Sequence, residues 1–105
     1  MVEMRREDWH LLGRALVLWA RPPGARYPQR SDQRVLDEFG VEVGSWLVPI
    51  IKKLADDYYA TDAQWTVRDL GEAGRVASDA FMARNPHVPL EAVRTLEWCF
   101  TWDFK

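Results

Sequence analysis

Trp98-Cys99-Phe100-Thr101-Trp102-Asp103-Phe104-Lys105 is the stretch on which the reading of this chain turns. Four aromatics occupy every second position of these eight residues, the period of a strand with one aromatic face. The same residues also form two i,i+4 pairs, Trp98/Trp102 and Phe100/Phe104, as a helix burying opposite faces would have them. A strand needs a neighbour. The candidates, Val41-Glu42-Val43 and Trp65-Thr66-Val67, are short and read better as helix entries. The balance therefore favours a helix from Pro89 to about Cys99 or Trp102, with the last residues folded onto the body. Burying four rings is worth up to about 12 kcal/mol in all. Ordering seven backbone residues costs roughly 7–14. A tail this aromatic is thus expected to stay ordered only by docking on its own core or on another chain.

Moving towards the amino terminus, Leu90, Val93, Leu96 or Glu97, and Phe100 carry a helical stripe into the tail, and Pro89 suits the first helical position. Before it, Val67, Leu70, Gly74, Ala77 and Phe81 recur at helical spacing from Thr61-Asp62 to the Asn85-Pro86 stop. Their small central residues would let another helix approach closely. Val35, Phe39, Val43, Trp46 or Leu47, Ile50, Leu54 and Tyr58 trace a further stripe, which Gly40, Gly44 and Pro49 interrupt. The expectation is two helices, about 32–39 and 45–60. Ser31 caps the first, Ser45 caps the second, and Pro49 lies in the second one's first turn. Trp9, Leu12, Leu16 and Trp19 define an opening helix over about residues 6–20, closed by Arg21-Pro22-Pro23-Gly24. The sum is an all-α fold: one domain over residues 1–105, a compact bundle of four to five helices with a docked, aromatic-rich carboxyl end.

Composition sets the outer bounds. A chain of 105 residues with 48% hydrophobic and 29% charged residues is an ordinary single globular domain. Six tryptophans are many for its size and imply an aromatic core, an aromatic surface, or both. Residues 1–53 hold nine basic and seven acidic side chains, net +2; residues 54–105 hold five and nine, net −4. Such an uneven distribution can orient a charged partner. One cysteine excludes an internal disulfide and a cysteine-based zinc site within one chain. Arg5-Arg6 precedes an apolar stretch, but Glu7, Asp8 and Arg14 interrupt it and no small-residue cleavage site follows. No apolar run approaches the ~20 residues of a membrane span. The chain reads as cytoplasmic, and its eleven arginines against three lysines suit a GC-rich coding genome such as a bacterium's.

No catalytic, metal or nucleotide motif stands out, and no residues carry a likeness to a particular family; no cofactor is expected. His10, with Glu7 three residues before it, has the elements of a base and its orienting group. Such a residue is more often a solvated surface histidine. His87 with Cys99 and Asp103 could form a nucleophilic set, yet a cysteine between Trp98 and Phe100 is expected to be unreactive. Gly71-Glu72-Ala73-Gly74 lies inside a helical pattern and follows no strand, so it is not a phosphate loop. Asp56-Asp57-Tyr58-Tyr59 closes a helix with two carboxylates where the macrodipole favours cations, an acidic-aromatic edge fit to meet a basic partner. With Trp98, Trp102 and Phe104 it supplies the candidate partner-binding residues.

The favoured reading is a non-catalytic protein-interaction module, resembling in class the inhibitors and immunity-type partners of toxins and nucleases. Its partner is another protein or a second copy of itself. The alternative is nucleic-acid binding through Arg21, Arg26, Tyr27, Arg30 and Arg34, a basic loop with one aromatic, on a chain that is acidic overall. A small enzyme using His10 or His87 is the third reading.

Overall fold

The computed structural model describes residues 4–105, all helical or loop, and no strand occurs among them. Helix α1 spans Arg6–Ala20, α2 Asp32–Phe39, α3 Val41–Tyr59, α4 Ala63–Thr66, α5 Leu70–Arg84 and α6 Leu90–Asp103. The tail is helix to Asp103, and the alternating aromatics resolve into the i,i+4 arrangement. Phe100 and Phe104 stack on successive turns with ring centroids 4.9 Å apart.

Helix α1 buries Leu12, Ala15, Leu16, Trp19 and Ala20, the stripe that its sequence spacing dictates. Asp8 accepts a hydrogen bond from the backbone N–H of Arg5 (2.9 Å), which satisfies one of the orphan donors at the helix start. The loop after α1 is held from inside by Arg34. Its Nη1 donates to the carbonyls of Leu18, Trp19 and Gln29 at 2.8, 3.0 and 2.8 Å. Ser31 then caps α2 by accepting from the backbone N–H of Arg34.

Gly40 alone makes the corner between α2 and α3. At φ 86° it ends one helix and begins the next, a conformation in which an L side chain is strained. The expected start of α3 at Ser45 is therefore corrected: the helix resumes at Val41, and Pro49 lies well inside it. The missing N–H is tolerated because Pro49 and Ser45 are both exposed, so the carbonyl freed at Ser45 faces water. Gly44 lets α2 and α3 touch. A Cβ there would stand 2.9 Å from Leu36 Cα.

A second correction concerns the segment after Thr61. It is not one helix but a single turn, α4, and then α5, whose N-cap Asp69 accepts from the N–H groups of Gly71 (2.7 Å) and Glu72 (3.2 Å). Pro89 precedes the first residue of α6 and its carbonyl accepts from Ala92 and Val93. The small stripe of α5 does admit a close neighbour: a Cβ on Gly74 would lie 3.1 Å from Glu97 and Thr101 of α6. The core between these helices is closed by Leu12, Leu16, Val35, Leu47, Ile51, Tyr58, Phe81, Leu96 and Phe100, all essentially inaccessible.

Candidate functional site: the clamped aromatic edge

Tyr58 and Tyr59 are consecutive on α3, so their side chains diverge by about 100°. Tyr58 points inward and is fully buried. Its hydroxyl donates to the Gly74 carbonyl (3.1 Å) and pairs with Ser78 Oγ at 2.7 Å, while Ser78 in turn donates to Glu97. Tyr58 is thus part of the core, and its assignment to a partner-binding edge is corrected. Tyr59 lies half-buried at the surface between α3 and the tail.

There a three-residue clamp forms. Asp103 Oδ2 accepts from the Tyr59 hydroxyl at 2.6 Å and from Arg30 Nη2 at 2.6 Å, and Arg30 Nη2 also donates to the Tyr59 oxygen at 3.0 Å. Burial, reinforced by the hydrogen bond to Asp103, holds the Tyr59 hydroxyl in its protonated form far above the usual phenol range. The clamp joins the end of α6 to the loop before α2 and to the end of α3. Above it the rings run without a gap: Tyr58 to Phe100 (5.8 Å), Phe100 to Tyr59 (5.9 Å), Tyr59 to Phe104 (6.2 Å).

Phe104 at the rim of this cluster, and the separate pair Tyr27 and Trp102, remain partly in water. Tyr27 is 51% exposed, Trp102 40% and Phe104 37%. Tyr27 and Trp102 face each other at 6.0 Å, and the Lys105 ammonium sits 4.3 Å over the Trp102 ring. Asp56 opens onto a shallow depression beside Tyr59, Asp103, Arg30 and Lys52. Asp56 makes no ion pair or hydrogen bond among the described residues, whereas Asp57 turns away to accept from Arg84 Nε (3.3 Å) and Asn85 Nδ2 (2.8 Å). Trp98 is set apart from the edge, half-buried beneath the Arg21 guanidinium at 4.5 Å. The structure therefore brings Asp56, Tyr59 and Phe104 around the clamp and pairs Trp102 with Tyr27 separately, while Asp57, Tyr58 and Trp98 are turned to other partners.

The loop arginines do not form a free patch. Arg34 is spent on backbone carbonyls, Arg30 on the clamp and Arg21 on Trp98, which leaves Arg26 alone without a partner among the described residues. The nucleophilic set is not assembled either. His87 lies in the loop before α6, while Cys99 is nine residues into that helix, about 14 Å along its axis. Asp103 is occupied by Tyr59 and Arg30. No group of three or more potential metal ligands occurs among the described residues, and no helix among them is long and apolar enough to cross a membrane.

Burial pushes the Cys99 thiol up to about 11, with the opposing pull of Arg30 smaller. An exposed thiol ionises near about 8.5. With the folded value the higher of the two, this contribution to stability is complete below about pH 8.5 and is lost as pH climbs through about 11. The melting temperature is expected to be flat near neutrality and to fall by several degrees between those limits. Cys99→Ala is expected to make that fall shallower, and an identical alkaline profile in the variant would show that the thiol is not the group involved.

Sequence reasoning missed a groove at the other end of α6, built from α1, α3 and the loop 85–89. Its signal was present as two short helical stripes that mix apolar and basic residues, Arg6/Trp9/His10 and Trp46/Ile50/Lys53. Both histidines line this groove, and the His87 ring lies 5.8 Å from that of Trp9. Comparison with known protein families, with curated proteins and with solved structures finds no match for this chain.

Proposed function

We propose that this chain is a non-catalytic protein-interaction module whose recognition edge is the clamped carboxyl end of α6. The observation that carries the reading is the combination of exposure and fixation. Tyr27, Trp102 and Phe104 stay in water, while the backbone that bears the last two is pinned by Arg30, Asp103 and Tyr59. Large aromatics dominate binding energy at protein interfaces, and side chains fixed beforehand lose little entropy on association. The unpaired Asp56 and the acidic character of residues 54–105 favour a partner with an apolar pocket beside a basic rim. An inhibitor or immunity-type partner of a toxin or nuclease is the specific form of this proposal, since such targets carry basic surfaces.

The test uses the wild-type chain and the pair Trp102→Ala and Phe104→Ala as bait in extracts of its own host. A protein retained by wild type is then purified and titrated against all three. Each truncation is expected to weaken its binding by about tenfold or more, and Asp56→Lys by a similar factor. A captured protein that binds wild type and variants equally would remove the edge from the proposal. Sedimentation of the chain alone provides the other decision: a dimer dispersed by Trp102→Ala would make a second copy the partner.

A further inference from the structure

The groove beside the loop 85–89 has a character unlike the aromatic edge. Its floor is apolar, made by Trp9, Trp46, Ile50, Leu54 and Val88. Its rim carries Arg6, His10, Lys53 and His87, all exposed. None of these four forms an ion pair or side-chain hydrogen bond among the described residues, although Lys52, next in sequence to Lys53, is matched to Asp32 at 2.6 Å. No carboxylate lines the groove among the described residues. On a chain with net charge −2, an open apolar trough whose charged rim, among the described residues, is basic is an uncompensated feature.

Size narrows the occupant. The groove encloses about 1280 Å³, whereas small-molecule sites commonly hold about 300–1,000 Å³ and are more enclosed. An amphipathic helix laid lengthwise fills a trough of this kind with its apolar side. The rim then selects the sign of the flanking charges, because two unpaired cations attract carboxylates and repel ammonium groups. We propose that the groove is a docking site for an acidic amphipathic helix of a partner protein. It lies beyond the amino-terminal end of α6, away from the clamped edge, and does not depend on the function proposed for that edge.

Two labelled synthetic peptides of about four turns test this on the intact chain. Both carry leucine at i, i+3, i+4 and i+7; one has glutamate at the flanking positions and the other lysine. Fluorescence anisotropy is expected to give saturable binding of the glutamate peptide and at least tenfold weaker binding of the lysine peptide. The double substitution Arg6→Glu with Lys53→Glu is expected to reverse that preference, with circular dichroism checking that the fold persists. In proton–nitrogen spectra of the wild-type chain the indole signals of Trp9 and Trp46 should move with the peptide, while that of Trp102 stays. Equal affinity for the two peptides, or shifts confined to other tryptophans, would overturn the proposal. So would sedimentation of a dimer dispersed by the double substitution, which would make a second copy the occupant. Trp102→Ala, which tests the aromatic edge, should leave peptide affinity unchanged, so the two proposals fail separately.

Discussion

Phe100→Ala is expected to lower the free energy of unfolding by about 3–5 kcal/mol, the usual range for emptying a buried phenylalanine site. The ring is completely inaccessible and touches three others, those of Tyr58, Tyr59 and Phe104. Its removal leaves a cavity between α3 and α6 that only large shifts of both tyrosines would fill. Tyr58 cannot shift cheaply, since its hydroxyl is tied to Gly74 and Ser78. Phe104, more than a third exposed, provides the internal comparison; its truncation is expected to cost about 1 kcal/mol. Urea titrations of the two variants against wild type measure both values. A loss below about 1 kcal/mol for Phe100→Ala would mean that the carboxyl end is not integral to the core.

Arg34→Ala is expected to cost about 2–4 kcal/mol, because it leaves three backbone carbonyls short of a charged donor. Leu18, Trp19 and Gln29 lose their shared partner at once. The loop that Arg34 ties to the end of α1 also carries Arg30, so the damage should spread to the clamp on Asp103. Arg26→Ala, a few residues away and without a partner among the described residues, should change stability by no more than about 0.5 kcal/mol. The pair separates two readings of the same basic loop. If the arginines served a phosphate backbone, both substitutions would weaken low-salt binding to duplex or single-stranded nucleic acid and neither would unfold the chain.

What was legible in the sequence follows from which forces act locally. Helices α1 and α2 begin and end where their stripes, Ser31 and the Pro22-Pro23-Gly24 stop place them, since capping and ring constraints need no tertiary partner. The start of α3 was obscured because the cost of a proline inside a helix depends in part on whether its freed carbonyl can reach solvent. Exposure of Ser45 and Pro49 lessens that cost, and no local pattern announces it. The division between α4 and α5 was masked for the opposite reason. Val67 and Leu70 continue the apolar period across the break, while the signal that ends it, the Asp69 carboxylate on two successive amides, is a local competitor of the same strength.

The candidate site was half legible. Aromatic density marked the carboxyl end that Arg30, Tyr59 and Asp103 clamp, yet adjacent residues on a helix face different ways, so Tyr58 and Tyr59, like Asp56 and Asp57, could not share one surface. Which of each pair turns outward depends on Ser78 and Gly74 in one case and on Arg84 and Asn85 in the other. All four lie on or just after α5, at sequence distances that no local pattern spans.

The corner at Gly40 carries one more implication. A methyl group added to this residue would find nothing within 4 Å, so space does not forbid a larger residue there. What disfavours it is the sign of a single torsion, which achiral glycine adopts freely and which strains an L residue. The angle between two of the main helices is thus guarded by chirality, a constraint that no repacking of the surroundings can relax.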